Sequence, residues 1–167
     1  TTSDEDEFIV IAPFFPEYSV FIASAGAKPV VVPPDTENFQ IDFGALETRI
    51  SRHTKGIVIN SPNNPSGAVY SADTINRLAS LLEQKQKEYG TQIFIIADEP
   101  YREIAYDGIE VPFVTKFYDN TLVCYSYSKS LSLPGERIGW VLVPDEAYES
   151  KNLYAAVAGS GRALGYV

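Results

Sequence analysis

The chain has 167 residues, of which 45% are apolar and 21% are charged, and 13 basic against 22 acidic residues give a net charge of −9. This composition is typical of one globular domain and excludes a disordered tail or a collagen-like fibre. No run approaches the ~18 apolar residues of a membrane span, and the acidic start TTSDEDEF is unlike a secretory signal. The acidic charge argues against nucleic acid or an anionic membrane as a partner.

Apolar runs of strand length alternate with segments of helical periodicity, which predicts an α/β fold. We expect a mostly parallel sheet with helices on both of its faces. The predicted strands are residues 8–12, 29–33, 56–60, 93–97, 121–125 and 138–143. The link SKSLSLPGER before the last strand is too short for a parallel crossover, so that strand is predicted to run antiparallel.

The first predicted helix begins with Pro16 at its first position and ends at Gly26. Its apolar face contains the residues spaced i, i+3, i+4 and i+7, namely Tyr18, Phe21, Ile22 and Ala25. This pattern predicts an amphipathic helix that packs one face on the sheet.

Three further helices are predicted. Asp42 caps a short one, and Ser71 caps a longer one that ends at Gly90. The segment after Pro144 is predicted to be helical until Gly159.

Polar residues directly follow three of the apolar runs: NSPNNPSG at 60–67, DEPY at 98–101 and SYSK at 126–129. Each has an ordinary explanation when taken alone, as a turn, as a helix cap with its neighbour Glu99, and as a solvated lysine. In a parallel sheet, however, ligands bind outside the carboxyl ends of the strands. Together the three segments therefore predict a site at that edge.

The residue types at these exits indicate one chemistry. An amine at Lys129, held near apolar walls and Arg137, would lose its proton and could attack a carbonyl group. The hydroxyl groups of Ser126 and Ser128 alternate about residue 127 and can face one side, where Arg137 would hold phosphate oxygens. A buried carboxylate at Asp98 would keep a pyridine nitrogen protonated. These are the parts of a pyridoxal phosphate site.

The three motifs resemble those of the fold-type I pyridoxal phosphate enzymes, in the class I/II (aspartate aminotransferase-like) branch. NSPNNPSG is similar to the family's N-P-x-x-N-P-T-G, and DEPY is similar to its D-x-x-Y. SYSKSLSLPGERIGW resembles S-x-S-K followed by R-x-G eight residues after the lysine. The resemblance covers residues 60 to 140 and implies the central part of a large, cofactor-binding domain.

The resemblance implies a role for each matching residue around the cofactor ring. Lys129 would form a Schiff base with the cofactor aldehyde and then move the α-proton of the amino acid. Asp98 would pair with the pyridine nitrogen, and Tyr101 would donate to the ring hydroxyl. Asn64 would contact that hydroxyl and the substrate carboxylate, and its bond to Pro65 is often cis in this family.

The phosphate and the face of the ring are assigned in the same way. Ser126, Ser128 and Arg137 match the phosphate cradle. Phe15 aligns with the aromatic residue that stacks on the ring, where aspartate-type members usually carry Trp, and Ser66 replaces the usual Thr.

The resemblance also bears on the whole protein. Family members are about twice this long, with an upstream phosphate loop and a downstream small domain that clamps the substrate carboxylate. The start at Thr1 without methionine and the apolar end at Val167 agree with an excised piece. We therefore expect residues 1–167 to be one incomplete domain that is inactive alone, and the full-length protein to be a cytoplasmic homodimeric aminotransferase.

Other functions stay open at this stage. The same fold also serves carbon-sulfur lyases and aminocyclopropane-carboxylate-type synthases, and a non-enzymatic regulator could use such a domain to sense an effector. A nucleotide-binding domain is disfavoured because GxGxxG and GxxxxGK[ST] strings are lacking. Trp140 is predicted to lie in the sheet core, and the single cysteine and histidine, Cys124 and His53, are predicted to be structural or exposed. No metal site is expected.

Overall fold

The computed structural model describes residues 3–165 and contains a six-stranded sheet with helices on both faces. The strand order is β2-β1-β3-β4-β5-β6. The strands are β1 (Glu7–Ile11), β2 (Lys28–Val32), β3 (Thr54–Asn60), β4 (Phe94–Asp98), β5 (Thr121–Ser126) and β6 (Gly139–Leu142). Strands β1 to β5 pair in parallel and β6 pairs antiparallel to β5, which confirms the predicted fold class and the direction of the last strand.

Among residues 3–165, five α-helices connect or follow these strands. They are α1 (Glu17–Ser24), α2 (Phe43–Arg49), α3 (Ala72–Tyr89), α4 (Tyr127–Ser130) and α5 (Ser150–Ala163). Pro16 precedes α1 by one residue instead of starting it. The predicted bounds of the last helix were wrong, because turns occupy the residues just after Pro144 and the helix then continues through Gly159. Glycine inside a helix costs only about 1 kcal/mol, so it does not have to end one.

The longest helix, α3, is fixed at both ends as its sequence predicts. The Ser71 hydroxyl oxygen accepts the Thr74 amide at 3.0 Å, and Gly90 adopts a left-handed φ of 66° at the other end. Its buried stripe includes Ile75, Leu78 and Leu82. Asp42 caps α2 in the same manner, through the amide of Ala45.

Alternation along β1 sends its side chains into two separate cores. Ile9 and Ile11 belong to the larger core, which α2 and α3 cover. Val10 points to the opposite face and packs with Ile22 of α1 and with Val58 of β3. Helices therefore cover both faces of the sheet at β1 and β3. The polar segments that follow the strands lie beside this covered part.

The C-terminal third is far less buried than the strands before it. All four residues of β6 are exposed, and α5 has no buried residue within the described part of the chain. Trp140 is 42% exposed and stacks on Tyr125, so its prediction as sheet core was wrong. The strand β6 lies at the edge of the sheet, and Trp140 faces an open cleft that residues of α5 also line. The apolar face of α1 is likewise only partly covered, since Phe21 is 61% exposed.

Two further predictions concern single residues and the chain ends. His53 is partly exposed near Glu5, and Cys124 is a half-buried free thiol. Within residues 3–165, no helix is both long and apolar enough to cross a membrane. Thr1 and Val167 lie outside the described residues.

Candidate active site

A cleft of about 310 Å³ opens at the carboxyl ends of β1, β3, β4 and β5. It lies where the strand order reverses direction. The chain passes from β1 to β2 on one side and then returns to β3 on the other side of β1, and ligands in open α/β sheets bind at such points. All eight residues singled out from the sequence line it: Phe15, Asn64, Asp98, Tyr101, Ser126, Ser128, Lys129 and Arg137. Tyr18, Asn60, Pro100 and Pro134 complete the lining.

Asp98 ends β4 with its carboxylate facing the cleft and the first turn of α1. Burial raises the pKa of this carboxyl group, and a hydrogen bond donated by the Tyr18 hydroxyl partly opposes that rise. Tyr18 was predicted only as part of an apolar helix face. Its ring does lie in that face, but its hydroxyl group reaches the carboxylate, and the helical spacing alone carried no sign of that bond.

Glu99 faces away from the cleft, because successive residues leaving a strand point to opposite sides. Its side chain is only 3% exposed and accepts a hydrogen bond from the Arg102 guanidinium at 2.7 Å. Arg102 also donates to the main-chain oxygens of Val111 and Pro112. The alternative explanation of Asp98 and Glu99 as a helix cap is therefore wrong, since turns and not a helix follow them. Glu99 instead holds the loop after β4 in place through its bond with Arg102.

The loop NSPNNPSG is anchored to β4 by its first residue. The Asn60 side-chain amide donates to the Asp98 main-chain oxygen at 2.8 Å, and its carbonyl oxygen accepts the Asn64 amide at 2.7 Å. The Asn64–Pro65 peptide is cis, as the resemblance implied. Asn60 was not among the predicted site residues, although its place directly at the exit of β3 was a signal that could have identified it.

The SYSK segment begins at the end of β5 with Ser126 and continues into the short helix α4, so its geometry differs from the extended one assumed from the sequence. The Ser126 hydroxyl oxygen accepts the Ser128 amide at 3.1 Å, and its O–H donates to the Ser128 hydroxyl oxygen at 2.7 Å. The two hydroxyl groups therefore lie together as predicted, but because of a helix cap and not because of strand alternation.

Lys129 is exposed, which differs from the expectation of an amine held between apolar walls. Its Nζ lies 5.9 Å from the centroid of the Tyr101 ring. The helix α4, which carries Lys129, is held in place by Tyr125. The hydroxyl oxygen of Tyr125 lies 2.7 Å from that of Ser130, and the Tyr125 O–H donates to the Glu103 carboxylate at 2.9 Å. The amine is thus free to meet a ligand while its backbone is held.

Two other walls are contributed by Arg137 and Phe15. Arg137 adopts a left-handed φ of 54° and donates one hydrogen bond to the Pro134 main-chain oxygen at 2.8 Å. Phe15 meets the edge of the Tyr18 ring with centroids 5.7 Å apart. The cleft therefore has a cation at one wall and an aromatic side chain at another.

Cys124 lies behind Asp98 on β5, and the cleft does not include its side chain. Burial raises the pKa of its thiol to about 11, with smaller contributions from the charges of Asp98 and Glu99. The thiol therefore stays protonated near neutral pH and is a poor nucleophile. This environment agrees with the structural role predicted for it.

The arrangement suits a planar anionic ligand that carries a carbonyl group. An amine is available to the carbonyl, a half-buried carboxylate can pair with a protonated ring nitrogen, and an aromatic side chain offers a stacking face. Hydroxyl groups and a guanidinium can bind phosphate oxygens. Among the described residues, no group of histidine, cysteine and carboxylate side chains is placed to hold a metal ion.

Comparison with known proteins gives consistent matches. The family described as "Aminotransferase class I and II" matches residues 1–160. An amino transferase from Eubacterium rectale of known crystal structure is 73% identical, with a TM-score of 0.97, and the match covers 100% of this chain and 42% of that one.

Two curated relatives are more distant. An aspartate aminotransferase from Pyrococcus horikoshii is 36% identical over 93% of this chain and 39% of its own length. A probable N-acetyl-LL-diaminopimelate aminotransferase from Bacillus subtilis is 33% identical over 86% of this chain and 35% of its own length. The chain thus spans well under half the length of the relatives that it matches.

Proposed function

The chain belongs to the class I and II aminotransferase family, and we propose that it forms the cofactor-binding wall of a pyridoxal phosphate-dependent aminotransferase. The full-length protein would move an amino group between an amino acid and a 2-oxo acid. The observation that carries this proposal is that eight side chains chosen from three separate motifs and one loop line a single cleft.

The residues present fit pyridoxal phosphate by their chemistry. The cofactor has an aldehyde, a ring nitrogen, a ring hydroxyl, a flat face and a phosphate, and the cleft offers a complementary group for each. When bound, the cofactor supplies an electron-withdrawing ring that weakens the bonds at the α-carbon of the amino acid. A volume of about 310 Å³ is at the lower end of the range for small-molecule sites.

Four side chains would act around the reacting atoms. Lys129 would hold the cofactor covalently through its Nζ and then carry the proton that leaves or returns to the α-carbon. Asp98 would accept a hydrogen bond from the protonated ring nitrogen. Tyr101 would donate to the ring hydroxyl, and Asn64 would donate to that oxygen and to the substrate carboxylate.

Four other side chains would orient the cofactor. The paired hydroxyl groups of Ser126 and Ser128 and the guanidinium of Arg137 would bind the phosphate. Arg137 has five N–H donors, of which one is engaged by Pro134 in the described structure, so the others can turn to a ligand. Phe15 would stack on the ring and keep water from one of its faces.

The amino acid substrate is open, because relatives of nearly equal identity are named for aspartate and for N-acetyl-LL-diaminopimelate. The comparisons reported above favour neither a carbon-sulfur lyase, nor an aminocyclopropane-carboxylate-type synthase, nor a regulator. An amino-group transfer assay on the full-length protein, with a panel of amino acids and 2-oxoglutarate, tests the reaction. Equal amounts of 2-oxo acid and new amino acid are expected; release of thiol, ammonia or a cyclic product would contradict it.

We further propose that residues 1–167 are the central part of the large domain, and that the full-length protein is a cytoplasmic homodimer. The exposed surfaces of β6 and α5 support an incomplete domain, because apolar side chains such as Trp140 are left uncovered there. We expect residues 1–167 alone to give no turnover. Turnover by that polypeptide in the same assay would show that the cleft is already complete.

A further inference from the structure

Tyr18 contacts two of the proposed cofactor-binding side chains at once. Its hydroxyl group donates to Asp98 Oδ2, and its ring meets the ring of Phe15 edge to face at 5.7 Å between centroids. Its own amide also donates to the Phe15 main-chain oxygen at 3.1 Å. A residue at the start of α1 therefore joins the stacking wall of the cleft to the carboxylate at the end of β4.

In the hydrogen bond between Tyr18 and Asp98, the tyrosine hydroxyl is the donor and the carboxylate is the acceptor. Burial and the nearby Asp98 charge raise the pKa of the Tyr18 hydroxyl far above its ordinary value, so it keeps its proton and acts as the donor. One carboxylate oxygen is thus engaged by Tyr18. Within residues 3–165, no group donates a hydrogen bond to the other oxygen of Asp98.

We propose that Tyr18 is a positioning residue for the cofactor ring: its hydroxyl group orients and stabilises the Asp98 carboxylate, and its ring supports Phe15. This inference rests on the proposed function. Asp98 would meet the edge of the cofactor ring at its nitrogen, and Phe15 would meet the face. Because Tyr18 contacts both side chains, it holds Asp98 and Phe15 in a fixed orientation relative to each other. The two side chains together would then determine where the cofactor ring lies.

The other titratable and charged groups around Asp98 come from several elements. They are Tyr101 and Glu99 after β4, Cys124 on β5, and Lys129 and Arg137 on the opposite wall of the cleft. Glu99 is paired with Arg102, and Cys124 stays neutral. The pKa of Asp98 itself is raised by burial and lowered by the bond from Tyr18.

Loss of the Tyr18 hydroxyl group should therefore raise the pKa of Asp98. Without the bond from Tyr18, nothing offsets the effect of burial, so Asp98 should keep its proton to a higher pH. A hydrogen bond to a charged group corresponds to a shift of about one to two pH units in the Asp98 titration. A neutral Asp98 cannot form an ion pair with a protonated ring nitrogen, so pyridoxal phosphate should bind about three- to tenfold more weakly at the pH halfway between the two midpoints.

The test compares full-length parent protein with the Tyr18→Phe, Tyr18→Leu and Tyr106→Phe variants. Tyr106 is 74% exposed and provides a matched loss of a hydroxyl group outside the cleft. Carboxyl carbons are followed by ¹³C NMR against pH in cofactor-free protein, and the Asp98 signal is identified by its absence in Asp98→Asn. The dissociation constant of pyridoxal phosphate is measured by absorbance over the same pH range.

The dissociation constant of pyridoxal phosphate should be lowest in parent protein and Tyr106→Phe, higher in Tyr18→Phe and highest in Tyr18→Leu. Tyr18→Leu should be the weakest binder because it alone also removes the ring contact with Phe15. In parent protein, the chemical shift of a ¹³C label on the Tyr18 ring should change with pH at the same midpoint as the Asp98 signal. This measurement tests the contact without any substitution. Equal Asp98 titrations and equal constants in parent and Tyr18→Phe would overturn the inference and leave the proposed function intact. A parent that does not bind pyridoxal phosphate would overturn both.

Discussion

The two halves of the sheet differ in how well they are covered. Strands β1, β3 and β4 contain fully buried residues such as Ile9, Ile57 and Ile95, which α2 and α3 help to enclose. The C-terminal part, with α4, β6 and α5, is mostly exposed but supplies Lys129 and Arg137 to the cleft. Folding energy is therefore concentrated in the first region, and much of the reactive chemistry lies in the second.

This division assigns different consequences to mutations on the two sides. A change in the apolar core of the first region, away from the cleft, should lower the free energy of unfolding and affect function only through folding. A change in the exposed wall should alter cofactor binding or turnover with little effect on stability. Substitutions on the two sides, made in the full-length protein unless stated otherwise, separate these consequences.

The largest effect is expected for Lys129→Ala. Turnover should fall by about 10² to 10⁴ because the group that carries the proton is lost. The free energy of unfolding of the cofactor-free protein should change by less than about 0.5 kcal/mol, since Lys129 is exposed. Steady-state kinetics and urea unfolding measure the two quantities, and Lys151→Ala, an exposed lysine on α5, is the matched control. Turnover equal to that of the control would contradict the assignment.

Leu82→Ala should produce the opposite pattern. Leu82 is fully buried in the larger core, so its truncation should cost about 2–5 kcal/mol of unfolding free energy through lost contacts and a cavity. The turnover of the fraction that remains folded should be unchanged. Gln84, an exposed residue on the same helix, provides the control substitution Gln84→Ala. Similar urea midpoints for the two variants would show that the buried half is not where stability is concentrated.

Gly139→Ala should have an intermediate effect that reaches both regions. A Cβ at Gly139 would overlap the Tyr125 main-chain oxygen, so β5 and β6 would have to separate. We expect a loss of about 1–3 kcal/mol in unfolding free energy and weaker pyridoxal phosphate binding, because Arg137 precedes β6 by two residues.

The control for this change is Gly135→Ala, since a Cβ at Gly135 would meet no atom within 4 Å. Thermal unfolding and absorbance titration with pyridoxal phosphate compare the two variants. A Gly139→Ala protein that matches Gly135→Ala in both would contradict the close approach of the strands.

The smallest effect is expected for Trp140→Ala in residues 1–167 alone. Trp140 is 42% exposed and stacks on Tyr125 at 4.9 Å between centroids, a contact that contributes about 1 kcal/mol. In the full-length protein we expect a larger loss, because the proposed remainder of the domain would cover β6 there; a loss that stays at about 1 kcal/mol would contradict that cover. Urea unfolding of the full-length variant distinguishes these results, and the same change in residues 1–167 alone should show only the smaller loss.

The sequence predicted the elements whose signals are local. All six strands were placed to within two residues, and Ser71 and Gly90 mark the ends of α3 as expected from cap chemistry. The last helix was misplaced because the turns before Ser150 and the glycines inside α5 do not follow simple start and stop signals. Trp140 was misjudged because alternation along a strand does not tell whether a helix covers it.

The site was predictable where motifs occur at strand exits, since topology brings those exits together. Asp98, Asn64 and Lys129 were found in this way and line one cleft. Asn60 was missed although its place at the exit of β3 was a usable signal. Tyr18 was missed because its importance comes from a partner far along the chain: the bond from Tyr18 to Asp98 spans 80 residues. Such contacts leave no pattern in a single sequence.

The most direct test of the account is covalent attachment of pyridoxal phosphate to the full-length protein. The protein is mixed with the cofactor, reduced with borohydride and digested, and the labelled peptide is identified by mass. The account predicts label on Lys129, none in Lys129→Ala and weaker binding in Asp98→Asn. Label on another lysine, or cofactor binding that is unaffected by both substitutions, would contradict the claim that this cleft is the cofactor site.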